Sequence, residues 1–349
     1  MSSFLSKNRG EWSELYVVTS LLAHDFLTYS LNDGEQKTSQ ILEISRGNGR
    51  SRRKYVIEGD RVRIDPFGTY VSKEWLVTKS TELLAAIKSG VGRSFPIPEV
   101  NDLLEGLKTH QISAESKMGD ISIRTFGLDD GETLENRFNI KSRLGGKPTL
   151  LNSSRATRIT YRLSETLTES EQKDLNRLGP ALLVETVKSL GMTLTFAEMD
   201  PRFVANLMTV DTQMPEILAE MVLISYSGGP KDLQSVVSKV ALDNHLKFDG
   251  ANIEFSYSHK ATMMLQQIGL GMVPSKTWKG RQGASGGLIT VLPDGELKCS
   301  LEISQESLGA ELFVATRFDT PSRIRLDYGR IYEKNGISYL DLNFQIRYR

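Results

Sequence analysis

Apolar residues recur at helical spacing from about Gly10 to Thr28, with Trp12, Leu15, Tyr16, Val18, Leu21 and Leu22 on one stripe. Ile41 to Arg63 changes to a β-prone, basic pattern, with Gly47 and Gly49 between two short strands. Helical spacing returns from Ser72 to Lys88, where Trp75, Leu76, Leu83, Leu84 and Ile87 form the apolar face. Gly90 and Gly92 end that helix, and Pro96 and Pro98 precede a shorter one, Glu99 to Lys108. Two strands, 120–126 and 137–142, then face each other across the turn Gly127-Leu128-Asp129-Asp130-Gly131. Arg158 to Leu163 alternates as a half-buried strand does. This order of elements predicts an α/β (α+β) core, a mixed central β-sheet flanked by helices, over residues 1–165.

The pattern turns mainly helical after that. Thr168 and Glu171 fit a capping box, and that helix runs to Gly179-Pro180 before restarting to Leu190. Asp200-Pro201 opens another, which breaks at Pro215 and resumes to about Tyr226. Gly229-Pro230 opens one to about Asn244, and Ser258 to Ile268 forms a further one. From Gly280 strands return. Arg323 to Tyr332 reads as a strand into the hairpin turn Asn335-Gly336. The last strand alternates Leu340, Leu342, Phe344 and Ile346 against Asp341, Asn343, Gln345 and Arg347. Residues 166–349 are therefore expected to form a separate helical and β region with C-terminal antiparallel strands.

Composition narrows the class. The 349 residues are 39% hydrophobic and 25% charged, enough for a sizeable core and for about two domains. Lys plus Arg equals Asp plus Glu at 43 each, so a nucleic-acid partner would have to be held by a local patch. A single cysteine, Cys299, excludes an internal disulfide and fits a reducing compartment. No signal-peptide core or membrane-length apolar run is seen, and a cytoplasmic location is expected.

The chemistry concentrates in the strand pair. Asn139 and Lys141 share a face because strand side chains alternate, and Asp120 on the neighbouring strand can sit close to both. An acid, a second oxygen ligand and a lysine around one point suit Mg²⁺-assisted phosphodiester hydrolysis. The same residues also fit a plain hairpin. Glu11 and Glu14 share a side of the first helix, either as its solvated edge or with Glu14 reaching the metal site as the acid that Asn139 is not. Beyond the pair, Asn152, Ser153 and Arg155 in a glycine-led loop can meet phosphates or base edges, as can Arg281 and Gln282 in a second glycine-rich loop. Either loop would also serve as a simple connection. Asn343, Gln345 and Arg347 carry the side-chain types that read adenine and guanine, or form an ordinary polar strand face. Gly283-Ala284-Ser285-Gly286-Gly287 matches Gly-x-Ser-x-Gly, but a strand follows it where a nucleophile elbow needs a helix. The four histidines, His24, His110, His245 and His259, are scattered.

Three ordered blocks carry a resemblance. Gly10-Glu11-Trp12-Ser13-Glu14-Leu15-Tyr16 lies near the start, and Phe138-Asn139-Ile140-Lys141-Ser142 with Leu144-Gly145 and Thr149-Leu150-Leu151-Asn152 in the middle. Gly329-Arg330-Ile331-Tyr332-Glu333 with Leu342-Asn343-Phe344-Gln345-Ile346-Arg347 closes the chain. Together they resemble the HpaII-type restriction endonucleases. The resemblance implies a Mg²⁺-dependent enzyme that cuts double-stranded DNA within CCGG, leaving 5′-phosphate and 3′-hydroxyl ends. It also implies a DNA methyltransferase as genetic partner, and a palindromic target suits a homodimer or a monomer nicking twice. The wider nuclease group carries Pro-Asp…(Asp/Glu)-x-Lys, which Asp120 and Lys141 match. Gly119 stands for its proline and Asn139 for its second acid. The metal ligands expected are Asp120, Asn139 and Glu14. The competing expectation is a sequence-specific DNA-binding protein with an inactive nuclease site.

Overall fold

The computed structural model describes residues 5–30, 36–114, 119–127, 131–250, 252–280, 283–301 and 305–349. The chain forms two compact units. The first takes in residues 1–148 and recruits 269–271 and 282–308; the second holds 149–268, 272–281 and 309–349.

The first unit is built on helix Arg9–His24. Asn8 caps it: its side chain accepts from the Glu11 amide, and the Glu11 carboxylate accepts from the Asn8 amide. The helix ends sooner than its apolar pattern suggests. Asp25 turns left-handed at φ 53°, and Phe26–Ser30 becomes a strand instead of a last helical turn. Trp12, Leu15, Val17, Val18 and Leu22 are fully buried. Each such side chain contributes roughly 1.5–3 kcal/mol of apolar burial.

This helix packs with a nine-stranded mixed sheet. Its strand order is Phe26–Ser30, Leu297–Leu301, Gly287–Val291, Thr133–Ser142, Ile121–Gly127, Gln36–Arg46, Arg53–Glu58, Arg61–Asp65 and Thr69–Ser72. Phe26–Ser30 also pairs with Gln36–Arg46, so six strands close on themselves. The strand pair expected from the sequence is a true antiparallel hairpin, with Ile121 opposite Phe138 and Ile123 opposite Asn136. Its outer flank is filled in parallel by Gly287–Val291, a strand from far down the chain. Gly286 has no Cβ because one would strike the Phe138 ring at 2.5 Å. The Tyr16 hydroxyl donates to Gly295 O at 2.7 Å and fastens the returning hairpin to the first helix.

The second unit carries a four-stranded and a three-stranded antiparallel sheet with most of the helices. The Thr168–Glu171 capping box forms, and Asp200 caps helix Pro201–Val210 through the Arg202 amide. Two expectations need correction. Arg323–Leu326 is a helical turn capped by Ser322, so the strand before the Asn335-Gly336 turn is only Ile331–Lys334. The final alternating strand is two strands in different sheets. Ile337–Asn343 lies in the four-stranded sheet and Gln345–Tyr348 in the three-stranded one. No described helix is long and apolar enough to cross a membrane.

Candidate active site

Asp120 stands just before strand Ile121–Gly127, and two bonds fix it. Its amide donates to Phe138 O at 2.8 Å, and its Oδ2 accepts from the Ile140 amide at 2.6 Å. The carboxylate thus clasps the opposing strand on either side of Asn139. Gly119 before it has φ +78°, and an added Cβ would lie 3.1 Å from Arg137 Cβ. Proline holds φ near −65°, so the glycine is not a neutral replacement for a motif proline. It gives the backbone a different entry to the acid.

Asn139 and Lys141 follow at alternate positions of Thr133–Ser142, paired with Leu288 and Thr290 on the returning strand. Asn139 Nδ2 donates to Gly269 O at 2.9 Å. That bond orients the amide and leaves its oxygen without a donor among the described residues. Lys141 makes no hydrogen bond or ion pair with a described residue. Burial lowers the pKa of its amine, against the charges of Asp120 and Glu14, which raise it.

Glu14 comes from the first helix. The residue before it ties helix to hairpin, with Ser13 Oγ and Ser142 Oγ 2.7 Å apart next to Lys141. Glu14 Oε2 accepts from the Ala114 amide at 2.5 Å and faces Arg46 Nη2 at 3.8 Å. Burial raises its carboxyl pKa to about 7, and the charge of Asp120 adds to that. Asp120 is also raised, first by burial, against the Ile140 bond and the charges of Lys141 and Arg46. The two acids therefore sense each other within one poorly solvated pocket. No third His, Cys, Asp or Glu joins a metal-binding group with them among the described residues.

Arg46 belongs to this arrangement and was not singled out by sequence reasoning. It looks like one cation among seven in a basic stretch, yet it is 3% exposed. Its guanidinium donates to Ile112 O at 3.0 Å and Gln111 O at 3.4 Å, holding the 111–114 segment that caps Glu14. The available signal was its place at the end of an alternating strand, on the face of Ile44.

The other candidates lie elsewhere. Asn152 and Arg155 are exposed on the second unit, and Ser153 Oγ accepts from Arg325 Nη2 at 3.3 Å. Arg281 and Gln282 fall outside the described residues. Asn343 is fully buried. Its Oδ1 accepts from Thr157 Oγ1 at 2.9 Å, and its Nδ2 donates to Ser154 O at 2.9 Å. Both ends of its amide are spent on the Ser154 turn, so it offers nothing to a base edge; this corrects the expectation from the alternating pattern. Gln345 and Arg347 are half-buried and stay on a polar face.

A mixed sheet with an acid clasped across a hairpin to an x-Lys strand is the frame that the sequence resemblance implied. Comparison with known proteins gives the class: the chain is a type II restriction endonuclease, a site-specific deoxyribonuclease. The family model described as HpaII restriction endonuclease matches residues 8–348, and the chain belongs to that family. It is 34% identical over 362 aligned positions to the type II restriction enzyme HpaII of Haemophilus parainfluenzae, covering 100% of both chains. No solved structure matches it.

Proposed function

We propose that this endonuclease cuts duplex DNA within CCGG in a Mg²⁺-dependent reaction that leaves 5′-phosphate and 3′-hydroxyl ends. The observation that carries the site assignment is the convergence of Asp120, Glu14 and Asn139 beside Lys141. Asp120 Oδ1, Glu14 Oε1 and Asn139 Oδ1 carry no hydrogen bond from a described residue. Three oxygens, two of them on carboxylates pushed toward neutrality, are a donor set that fits a hard divalent cation. When bound, Mg²⁺ supplies Lewis-acid stabilisation of the charge that builds on the phosphoryl oxygens.

The chain's own residues do the rest. Asp120 is held rigid by two backbone bonds, so it presents one oxygen in a fixed direction. Glu14 is held by Ala114 and backed by Arg46. Lys141 orients the attacking water and neutralises charge on the pentacoordinate phosphorus. The water oxygen joins phosphorus, the bond to the 3′ oxygen breaks, and a proton passes to that oxygen. The product is a 5′-phosphate strand and a 3′-hydroxyl strand.

Asn152, Ser153 and Arg155 are proposed to touch the DNA backbone, and Gln345 and Arg347 to touch bases. A cognate methyltransferase, a homodimer acting on both strands and a cytoplasmic location complete this reading. Plasmid cleavage tests it. Asp120→Ala and Lys141→Ala should each slow nicking by about a hundredfold to a thousandfold or more while duplex binding persists. EDTA should abolish cutting. Retained cutting in both variants would overturn the site assignment, and binding without cleavage by the unaltered chain would favour the inactive-nuclease alternative. Mapping of the cut ends checks the target and end chemistry.

A further inference from the structure

Strands Gln36–Arg46 and Arg53–Glu58 of the first unit pair antiparallel, and their last pair is Arg46 opposite Arg53. Residues 47–52 form the tip of that hairpin. The tip is held by its own backbone. Gly47 turns at φ +80°, where an added Cβ would lie 2.7 Å from Ser51 O. The helical turn Gly49–Ser51 follows, with the Ser51 amide donating to Asn48 O at 3.0 Å and the Arg52 amide to Gly49 O at 3.2 Å. Ser51 Oγ adds a bond to Asn48 O at 2.7 Å.

The arginines of this stretch divide into two pairs. Arg46 and Arg53, at the root, serve the fold. Arg46 holds the carbonyls of Gln111 and Ile112. Arg53 Nε donates to Lys108 O at 2.5 Å, and its Nη1 donates to Arg50 O at 3.1 Å and Arg52 O at 3.0 Å. Arg53 therefore braces the tip at the carbonyls on either side of Ser51. Arg50 and Arg52 themselves are exposed, and neither side chain makes a hydrogen bond or ion pair with a described residue.

On the next hairpin of the same sheet the arginines meet acids. Arg63 is paired with Glu58 at 2.7 Å and Asp65 at 2.6 Å, and Arg61 lies 3.8 Å from Asp60. Residues 44–57 contain no Asp or Glu, and neither does the stretch 106–114 that Arg46 and Arg53 hold. In a chain with 43 cations and 43 acids, that surplus is local. Cations two residues apart stand within about one Debye length (~8 Å) and repel. The hairpin gains no stability from the repulsion, whereas a row of anions outside the protein relieves it. DNA phosphates are such a row, and an arginine fork matches their oxygens. The position fits as well. Arg46, at the root, lies 3.8 Å from Glu14 Oε2. Arg50 follows it by four residues, a reach of at most about 14 Å along the backbone.

We propose that Arg50 and Arg52 bind backbone phosphates of the duplex beside the bond that is cut. This rests on the reading of Asp120 and Glu14 as the cutting site, and it adds a contact that senses charge and not sequence. The test is binding of the full chain to a random-sequence duplex, without divalent metal, from about 50 to 200 mM salt. Arg50→Gln and Arg52→Gln should each weaken binding severalfold and flatten the log–log salt dependence by about one, and the double variant by about two. Arg50→Lys and Arg52→Lys keep a point charge and should retain the unaltered slope. An unchanged slope in the double glutamine variant overturns the proposal. So would lysine variants that lose the chain's preference for one sequence over another, because that marks base contacts.

Neutral methylphosphonates, placed one at a time around the bond that the chain cuts, then locate the contact. The unaltered chain should bind severalfold more weakly when either of two phosphates near that bond is neutral, and the double glutamine variant should be indifferent to both. Indifference gained only at phosphates more than half a helical turn away, or at none, overturns the placement. A chain that shows the expected slopes but cuts no duplex in Mg²⁺ would sink the cleavage reading and leave Arg50 and Arg52 as DNA contacts. A double variant that binds and cuts as the unaltered chain does would sink this inference and leave the cleavage reading standing.

Discussion

In the first unit, Glu14 and Asp120 face each other with their carboxyl pKa values raised; in the second, Asp319 lies between two arginines with its own lowered. Nearby cations do not explain the contrast by themselves, because the first pair also has Arg46 and Lys141. Arg46, however, spends donors on the carbonyls of Gln111 and Ile112, and Lys141 makes no ion pair with a described residue. Asp319 has its cations and an amide in direct contact. An acid that the protein leaves under-neutralised is suited to a ligand cation, whereas one already neutralised is suited to holding other side chains still. The asparagines repeat the lesson. Asn139 uses only its nitrogen, while Asn343 uses both ends.

The sharpest way to break this comparison is Glu14→Gln. Cleavage should fall by about a hundredfold or more, because one charged oxygen donor is lost. Stability should move the other way. The folded pKa of Glu14, about 7, lies above its ordinary value, so its proton favours the folded state. The contribution is fully present below pH 4.5, declines as pH rises, and is gone above about 7. The metal-free variant should therefore melt higher than the unaltered chain at pH 8, by on the order of 3 kcal/mol at most. A lower melting temperature in calorimetry at pH 8 would show that Glu14 is already neutralised by Arg46.

Next in size is the pair of asparagine variants. Asn343→Ala removes two buried hydrogen bonds, the one from Thr157 Oγ1 and the one to Ser154 O, and should cost about 2 kcal/mol in denaturant unfolding. Asn139→Ala should cost less stability, about 1 kcal/mol, but a larger share of cleavage. Equal stability losses would erase the distinction between the two amides. The smallest effect concerns Asp319. Its lowered pKa means that its stabilising contribution is present above its ordinary value and lost as pH falls through the folded one. Asp319→Asn should lower stability by a roughly constant amount above pH 5 and flatten acid unfolding below about pH 4.

Much of the first unit could be read from pattern. The hairpin was legible because its apolar residues alternate and Asp120, Asn139 and Lys141 keep strand spacing. The first helix was legible from its stripe, though its end was not: a left-handed Asp25 leaves no periodic mark. Arg46 was hidden because a basic run averages to a solvated edge, and only tertiary packing turns one of its cations inward. The C-terminal strand misled for a different reason. Its alternation is unbroken through Phe344, but the chain changes sheets there, which makes Asn343 an internal strut and leaves Gln345 and Arg347 on a polar face. Helix Gln305–Ala315 was missed because it is short and lies between strand-like stretches.

Chain order and sheet order diverge at the strand that flanks Asn139 and Lys141. Gly287–Val291 completes the row beside Thr133–Ser142, so the edge of the lysine-bearing strand stays unpaired until most of the protein has left the ribosome. At roughly 5–20 residues per second, that interval lasts on the order of ten seconds or more. All of the second unit up to Arg281 is synthesised within it. A chain cut short before Gly287 would therefore keep Asp120 and Lys141 on a hairpin whose outer flank is bare.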